Sequence, residues 1–381
     1  MRNTRLLILF TTIIAVIVFV VVTFNELILN EFFLNHHTFA QCQWPSELRN
    51  PLKAMIIADT HLVGPISGYW PDMILRDWQM GRAYNTAISL HQPDVVFILG
   101  DLFDDGEYVD GKYFQGNYLT RFHQTFQTPK HIKVFSAVGN HDIGFHYSLT
   151  PYFLRRFETA FTESANTLFT IKDTHFVLLN SVTLEQDGCS LCEKAEADIA
   201  AISKRLNCAK QQNRNSSDCR MIPDKLPFYS KPVLLQHFPT YRKSDDECEE
   251  HDSYEVEINK EKWDVLSVNA TDFLGKQLDP SVVFCGHTHH YCRSYNKWGI
   301  EEYTAASFNR RQKRNPSFLL VEFSGENYAV TKCNMPSRTI SVVIYVICFL
   351  VAIISLYYLK YSKHARRLRM NSSRRSSMYP L

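Results

Sequence analysis

Lys53-Ala54-Met55-Ile56-Ile57-Ala58-Asp59-Thr60-His61 is the stretch from which the fold can be read. Its apolar run has no helical period and predicts a buried strand. Where that strand ends, a carboxylate and an imidazole follow two residues apart, Asp59 and His61. In an extended chain residues i and i+2 point to the same side, so these two are expected to grip one ion. Alone, Asp-x-His is a common accident. A lone strand-end Asp is usually a turn or a cap, and a lone His is usually solvated. The pattern gains force because it recurs.

Working outward, the same design appears four more times. Asp94-Val-Val-Phe-Ile-Leu ends in Gly100-Asp101, with Asp104 close behind. Lys133-Val-Phe-Ser-Ala-Val ends in Gly139-Asn140-His141-Asp142. Lys231-Pro-Val-Leu-Leu-Gln delivers His237, and Ser281-Val-Val-Phe-Cys leads into Gly286-His287-Thr288-His289. Between the first two strands, Met80, Ala83, Tyr84, Ala87, Ile88 and His91 have helical spacing, which Pro93 stops. Strand, helix, strand at this separation predicts a parallel βαβ unit and an α/β fold. Ligands beyond the carboxyl ends of strands are the expected arrangement in such sheets. Residues 105–120 read as a loop and Tyr118–Phe126 as a helix. Leu168–Leu179 reads as an antiparallel pair, Glu193–Leu206 as a helix, and 242–262 as a charged surface loop. Strands at 301–307 and 318–323 complete the series.

In their order, these five blocks resemble the calcineurin-like metallophosphoesterase superfamily over roughly residues 52–325. The resemblance implies a β-sandwich flanked by helices, αββα, and two divalent metal ions sharing one carboxylate. Carried onto this sequence, Asp59, His61 and His289 hold the first ion, Asn140, His237 and His287 the second, and Asp101 bridges them. His141 is the catalytic acid beside the scissile phosphate and Asp104 orients it. Manganese is the implied metal; nitrogen and oxygen donors without thiolate also suit iron, zinc or magnesium. Purple acid phosphatases share the layout but carry an iron-binding tyrosine where this chain has Asp104, so ferric-tyrosinate chemistry is not expected. Asp142 is expected to support the site without ligating. His36, His37, His91, His123, His131, His175 and His251 are read as structural or solvated, and His146 and His290 stay open.

Charge gives no case for nucleic acid, since 41 basic residues nearly balance 39 acidic ones in 381. Leu6–Phe24 and Ile340–Leu359 contain no charged residue, and each approaches the ~20 residues needed to cross a bilayer. The first is longer than a signal-peptide core and lacks a clear small-x-small cleavage site, so it reads as an anchor. Arg2 and Arg5 before it, and the basic tail from Lys360, place both termini in the cytosol. The expected organisation is then a cytosolic 1–5, a span at 6–24, a lumenal linker at 25–51 and the catalytic domain at 52–325. A cysteine-rich insertion at 185–225 lies within that domain. A linker at 326–339, a span at 340–359 and a basic cytosolic tail at 360–381 follow. Nine of the ten cysteines lie in the lumenal part, where disulfides are expected, and the odd one out is Cys285, in an apolar strand. Asn215 and Asn269 begin glycosylation sequons.

The motifs with their flanking apolar segments are similar to the branch of the superfamily that trims GPI anchors. That resemblance implies a phosphodiesterase removing the side-chain ethanolamine phosphate from the second mannose, which promotes exit of GPI-anchored proteins from the endoplasmic reticulum. It implies a multi-pass membrane protein of the exit sites, the ER–Golgi intermediate compartment and the cis-Golgi. Its partners would be GPI-anchored proteins, the bilayer and cargo receptors. The rivals are a lumenal enzyme for another phosphoester and a catalytically silent cargo-binding protein.

Overall fold

A computed structural model describes residues 2–26, 36–161, 164–210, 217–222, 224–256, 258–313, 315–336 and 339–376. The chain forms two units, residues 1–34 with 336–381, and residues 35–335. The first holds helices α1 (Arg2–Thr23) and α9 (Thr339–Ser376). Both fall on the apolar segments read from the sequence. Among the described residues, however, no helix is long and apolar enough to cross a membrane. A span needs about 20 consecutive apolar residues, and α9 runs 38 residues, on into the basic stretch beyond Lys360. The expected spans at 6–24 and 340–359 are corrected accordingly. So is the multi-pass location in exit sites, intermediate compartment and cis-Golgi that rested on them. The Asn215 sequon and the last five residues of the tail lie outside the described residues.

In the second unit the strands are β1 (Leu52–Ile57), β2 (Val95–Leu99), β3 (Lys133–Ala137), β4 (Thr167–Ile171), β5 (Thr174–Leu178) and β6 (Val233–Leu235). They continue with β7 (Cys248–His251), β8 (Val282–Cys285), β9 (Cys292–Tyr295), β10 (Glu301–Thr304), β11 (Ser317–Ser324) and β12 (Asn327–Asn334). Its helices include α2 (His36–Gln41), α3 (Trp70–His91), α4 (Thr120–Thr125), α5 (Asn140–Ile143), α6 (Pro151–Phe161), α7 (Ser190–Lys210) and α8 (Val268–Leu278). One sheet has the order β12-β11-β1-β2-β3 and the other β4-β5-β6-β8-β10-β9-β7. β1, β2 and β3 are parallel, as are β5, β6, β8 and β10.

Period-two alternation explains why the strands are apolar throughout. Ala54, Ile56, Val95, Phe97 and Leu99 face Phe176, Leu235, Val282 and Phe284 of the other sheet and form the inner core. Met55, Ile57, Val96 and Ile98 point the other way, onto Tyr84, Ile88, Phe122 and Phe157. Val177, Leu234 and Val283 pack against Ile199 and Leu206 of α7 and Leu274 of α8. Helix, sheet, sheet, helix is the αββα arrangement expected.

Several boundaries differ. α3 begins at Trp70, ten residues before its apolar stripe, because Pro71 and Asp72 suit a first turn. Part of the expected loop 105–120 is helical, and the Asp110 side chain accepts from Tyr113 N at 2.7 Å to cap it. The expected insertion at 185–225 contains α7, whose Ala195, Ile199, Ile202 and Leu206 are buried, so this segment is a layer of the fold. Residues 35–51 and 326–335 of the expected linkers also belong to the domain. β12 extends the first sheet, and α2 packs Phe39 into the core, stapled by Cys42–Cys333. Among the described residues the free cysteines are Cys285, buried as anticipated, and Cys348.

Candidate metal centre

All five strand-end clusters converge at one end of the sandwich. β1, β2 and β3 bring Asp59, His61, Asp101, Asn140 and His141; β6 and β8 bring His237, His287 and His289. The backbone at these turns is unusual. Asp59, His61, Asp101, His287 and His289 have φ of 51°, 42°, 49°, 75° and 62°. The left-handed region costs a non-glycine residue roughly 1–2 kcal/mol, and such strain collects at functional sites. Asp59 and His61 therefore meet the centre from a coiled segment, and the extended-chain reading of that pair is corrected. The segment is held by Ser307, whose Oγ donates to Asp59 O at 2.7 Å. Asn309 Nδ2 also donates to Thr60 O and His61 O, at 3.0 and 3.1 Å.

Three of the rings are anchored by one nitrogen and present the other. His61 Nδ1 lies 2.9 Å from Asp104 Oδ1, His237 Nδ1 donates to Leu99 O at 2.8 Å, and His287 Nε2 donates to Trp263 O at 2.8 Å. Those acceptors hold the outer nitrogens and leave His61 Nε2, His237 Nε2 and His287 Nδ1 facing inward. There His61 Nε2 lies 3.0 Å from His289 Nε2, and His237 Nε2 lies 3.1 Å from both His287 Nδ1 and Asn140 Oδ1. Ring nitrogens packed this closely around buried carboxylates suit a cation between them. Asp59, His61, Asp101 and His289 form one candidate donor group and Asp101, His237 and His287 another. Asp101 is common to both. Its Oδ1 accepts from His141 N at 2.8 Å, while Oδ2 is buried without a hydrogen-bond partner, 3.2 Å from His237 Nε2 and 3.6 Å from His61 Nε2. An orphaned carboxylate oxygen between two donor groups fits a bridging ligand.

The electrostatics agree with that fit. Burial lifts the Asp59 carboxyl to about 7. Burial also presses His237 down, but Asp101 and Asp59 outweigh it and raise that ring to about 9. His287 is lowered to about 3, by burial and then by the charge on His237. The carboxylates thus draw positive charge into a dry pocket whose rings cannot all accept it, a demand that cations meet.

His141 is half-buried, and its Nδ1 donates to the Asp104 carbonyl at 2.9 Å, leaving Nε2 free. Asp104 thus holds His141 through its backbone, while its carboxylate serves His61. Burial opposes the Asp104 charge, but the hydrogen bond to His61 wins and keeps that carboxyl below its usual range. Asp142 accepts from Leu102 N, Phe103 N and Gly139 N at 2.9, 3.1 and 2.8 Å, tying two of the turns together. Sequence reasoning missed Arg311, whose Nη1 donates to Asp104 Oδ2 at 2.9 Å. It also missed Ser307 and Asn309; a sixth polar cluster after a strand, Ser307-Phe-Asn309-Arg-Arg311, was the available signal. His290 turns away to a buried contact with Asp245 at 3.2 Å, and His146 meets Asp187 at 2.7 Å.

The family model for calcineurin-like phosphoesterases matches residues 52–291. The chain belongs to the calcineurin-like phosphoesterase family. Among its relatives, the Metallophosphoesterase 1 homolog of Drosophila melanogaster is 46% identical over 321 residues, 83% of this chain and 85% of that protein. Metallophosphoesterase 1 of Ailuropoda melanoleuca is 42% identical over 334 residues, covering 84% and 82%. Of the solved structures, a dimetal phosphatase from Danio rerio aligns over 75% of this chain and 100% of its own, at 12% identity and a TM-score of 0.41. As a calcineurin-like phosphoesterase the chain is a metal-dependent phosphoester hydrolase, and this fold implies a dimetal centre.

Proposed function

We propose that this phosphoesterase is a phosphodiesterase that removes the side-chain ethanolamine phosphate from the second mannose of GPI anchors. The hydrolytic part rests on one observation above the rest: two donor groups that share Asp101, with its Oδ2 otherwise unsatisfied. In this reading Asp59, His61 and His289 hold one ion, Asn140, His237 and His287 the other, and Asp101 bridges. The donors are nitrogen and oxygen only, which suits manganese. Bound there, two divalent ions supply Lewis acidity toward the phosphoryl oxygens and a water of lowered pKa. His141 Nε2 holds the proton that the leaving alkoxide needs, and the Asp104 carbonyl keeps that ring turned toward it. Arg311 anchors the Asp104 carboxylate and with it the His61 ring.

The finer reading is supported by the motif resemblance and by relatives named Metallophosphoesterase 1. On that reading GPI-anchored proteins carry the substrate, the trimming promotes their exit from the endoplasmic reticulum, and the receptors that collect them are further partners. A complete donor set is not what a silent scaffold needs. Mass spectrometry of GPI glycans from cells lacking this protein tests the specificity. Ethanolamine phosphate retained on the second mannose is the expected result, and an unchanged glycan would refute it.

A further inference from the structure

Four disulfides occur among the described residues, and one differs in kind. Cys42–Cys333, Cys248–Cys292 and Cys208–Cys219 join residues 291, 44 and 11 apart, whereas Cys189–Cys192 joins residues 3 apart. A cross-link stabilises by removing loop-closure entropy from the unfolded chain, and that gain grows with loop length. As a staple, Cys189–Cys192 contributes least.

Its surroundings suit a reacting group instead. Cys189 immediately precedes α7, and Cys192 lies in its first turn. Cys192 is fully buried while Cys189 is partly accessible, so an entering thiol reaches Cys189 first. The positive end of a 21-residue helix favours thiolate at this position. His146 Nδ1 lies 3.8 Å from Cys192 Sγ, and His146 Nε2 lies 2.7 Å from Asp187 Oδ2. An ionised carboxylate only accepts, so Nε2 carries the proton and Nδ1 turns a lone pair toward the sulfur. Sulfur, base and orienting carboxylate stand in sequence, as in an activated-thiol site. Asp187 Oδ1 also accepts from Cys189 N at 3.1 Å, which fixes the carboxylate to the same turn. None of these four residues belongs to the dimetal centre.

We propose that Cys189 and Cys192, with His146 and Asp187, form a thiol–disulfide exchange site for a dithiol. A thiolate of the dithiol attacks Cys189 Sγ, forming a mixed disulfide, and the Cys189–Cys192 bond breaks. Cys192 leaves as a thiolate and takes a proton from His146, protonated by the proton the first thiol gave up. The second thiolate of the dithiol then attacks its own sulfur in the mixed disulfide and releases Cys189, which takes up the remaining proton. Two electrons and two protons have passed from the dithiol to the chain. In reverse, His146 Nδ1 accepts the Cys192 proton, and the Cys192 thiolate resolves the mixed disulfide at Cys189.

The test is a titration of the folded, full-length protein with dithiothreitol, followed by alkylation and peptide mass spectrometry. Cys189 and Cys192 should become labelled at roughly a tenth of the dithiol concentration that opens the other three bridges. Labelling together with any of those, or after them, overturns the proposal. Cys192→Ser should trap a mixed disulfide at Cys189 with an aromatic disulfide reagent; no adduct at Cys189 in that folded variant overturns the assigned order of attack. His146→Gln should slow re-oxidation of the reduced pair by at least roughly tenfold, and an unchanged rate would remove His146 from the site.

Discussion

Asp101 belongs to both donor groups, while His141 belongs to neither and stands beside them, its N donating to Asp101 and its ring against His61. That difference separates binding from turnover. His141→Ala is expected to keep the metal content of the wild type and lower kcat by about 10²–10⁴-fold. Metal analysis and phosphodiester turnover measured on the same sample check this; unchanged turnover would remove His141 as the acid. A second residue makes stability depend on pH. Burial raises the Asp245 carboxyl, but the close contact with His290, with Arg242, outweighs it and holds it at about 2. A carboxyl held below its unfolded value of 3.8 contributes stability above that pH, and the contribution is lost as pH falls through about 2. Asp245→Asn should therefore flatten the fall in stability between about pH 4 and pH 2 in acid-unfolding curves, and an unaltered slope would contradict the account. Asp59, Asp101 and the histidines were legible in sequence because each ends an apolar strand. Arg311 was not, because its contact with Asp104 joins residues 207 apart and no periodicity encodes such a pairing.

At the scale of elements, the turns off the strands decide whether the side chains converge. Gly100 has φ +84°, and a Cβ there would lie 2.5 Å from His237 Nδ1. That nitrogen is bonded to Leu99 O, so the added atom would push the ring from its anchor. Gly100→Ala is expected to cost roughly 1–3 kcal/mol in denaturant unfolding and to lower metal content. A variant with wild-type stability and metal would show that the turn is not under this constraint. At Gly139 a Cβ would overlap the Asp101 carboxylate, and the same result is expected. The strands and α3 could be read from the sequence because buried runs and a helical stripe are local signals. The helical segment Phe114–Leu119 could not, since Gly and Asn in Phe114-Gln-Gly-Asn-Tyr-Leu argue against helix and only burial of Phe114 and Tyr118 overrides them. Nor could the left-handed turns be read, because Asp and His are not residues that announce a positive φ as Gly does.

For the whole molecule, the apolar strands and the helix between them made a parallel α/β unit legible, while the αββα layering was implied by the resemblance of the motifs to the family. The ends were read less well. An uncharged stretch near the length of a span is a statement about composition, and the described helices do not meet the length and apolarity that crossing requires. The domain is also larger than its motifs, because α2 and β12 close it through Cys42–Cys333. Replacing both cysteines by serine should cost about 2–5 kcal/mol and lower the melting temperature by several degrees, since that bridge closes the longest loop; an unchanged melt would mean the ends contribute nothing to the fold. The shared carboxylate remains the claim on which the functional reading turns. Metal content per chain, measured for the purified wild type and for Asp101→Ala, tests it most directly. Two equivalents in the wild type, with both lost in the variant, are predicted; an Asp101→Ala protein that retains its full complement would contradict the bridging role.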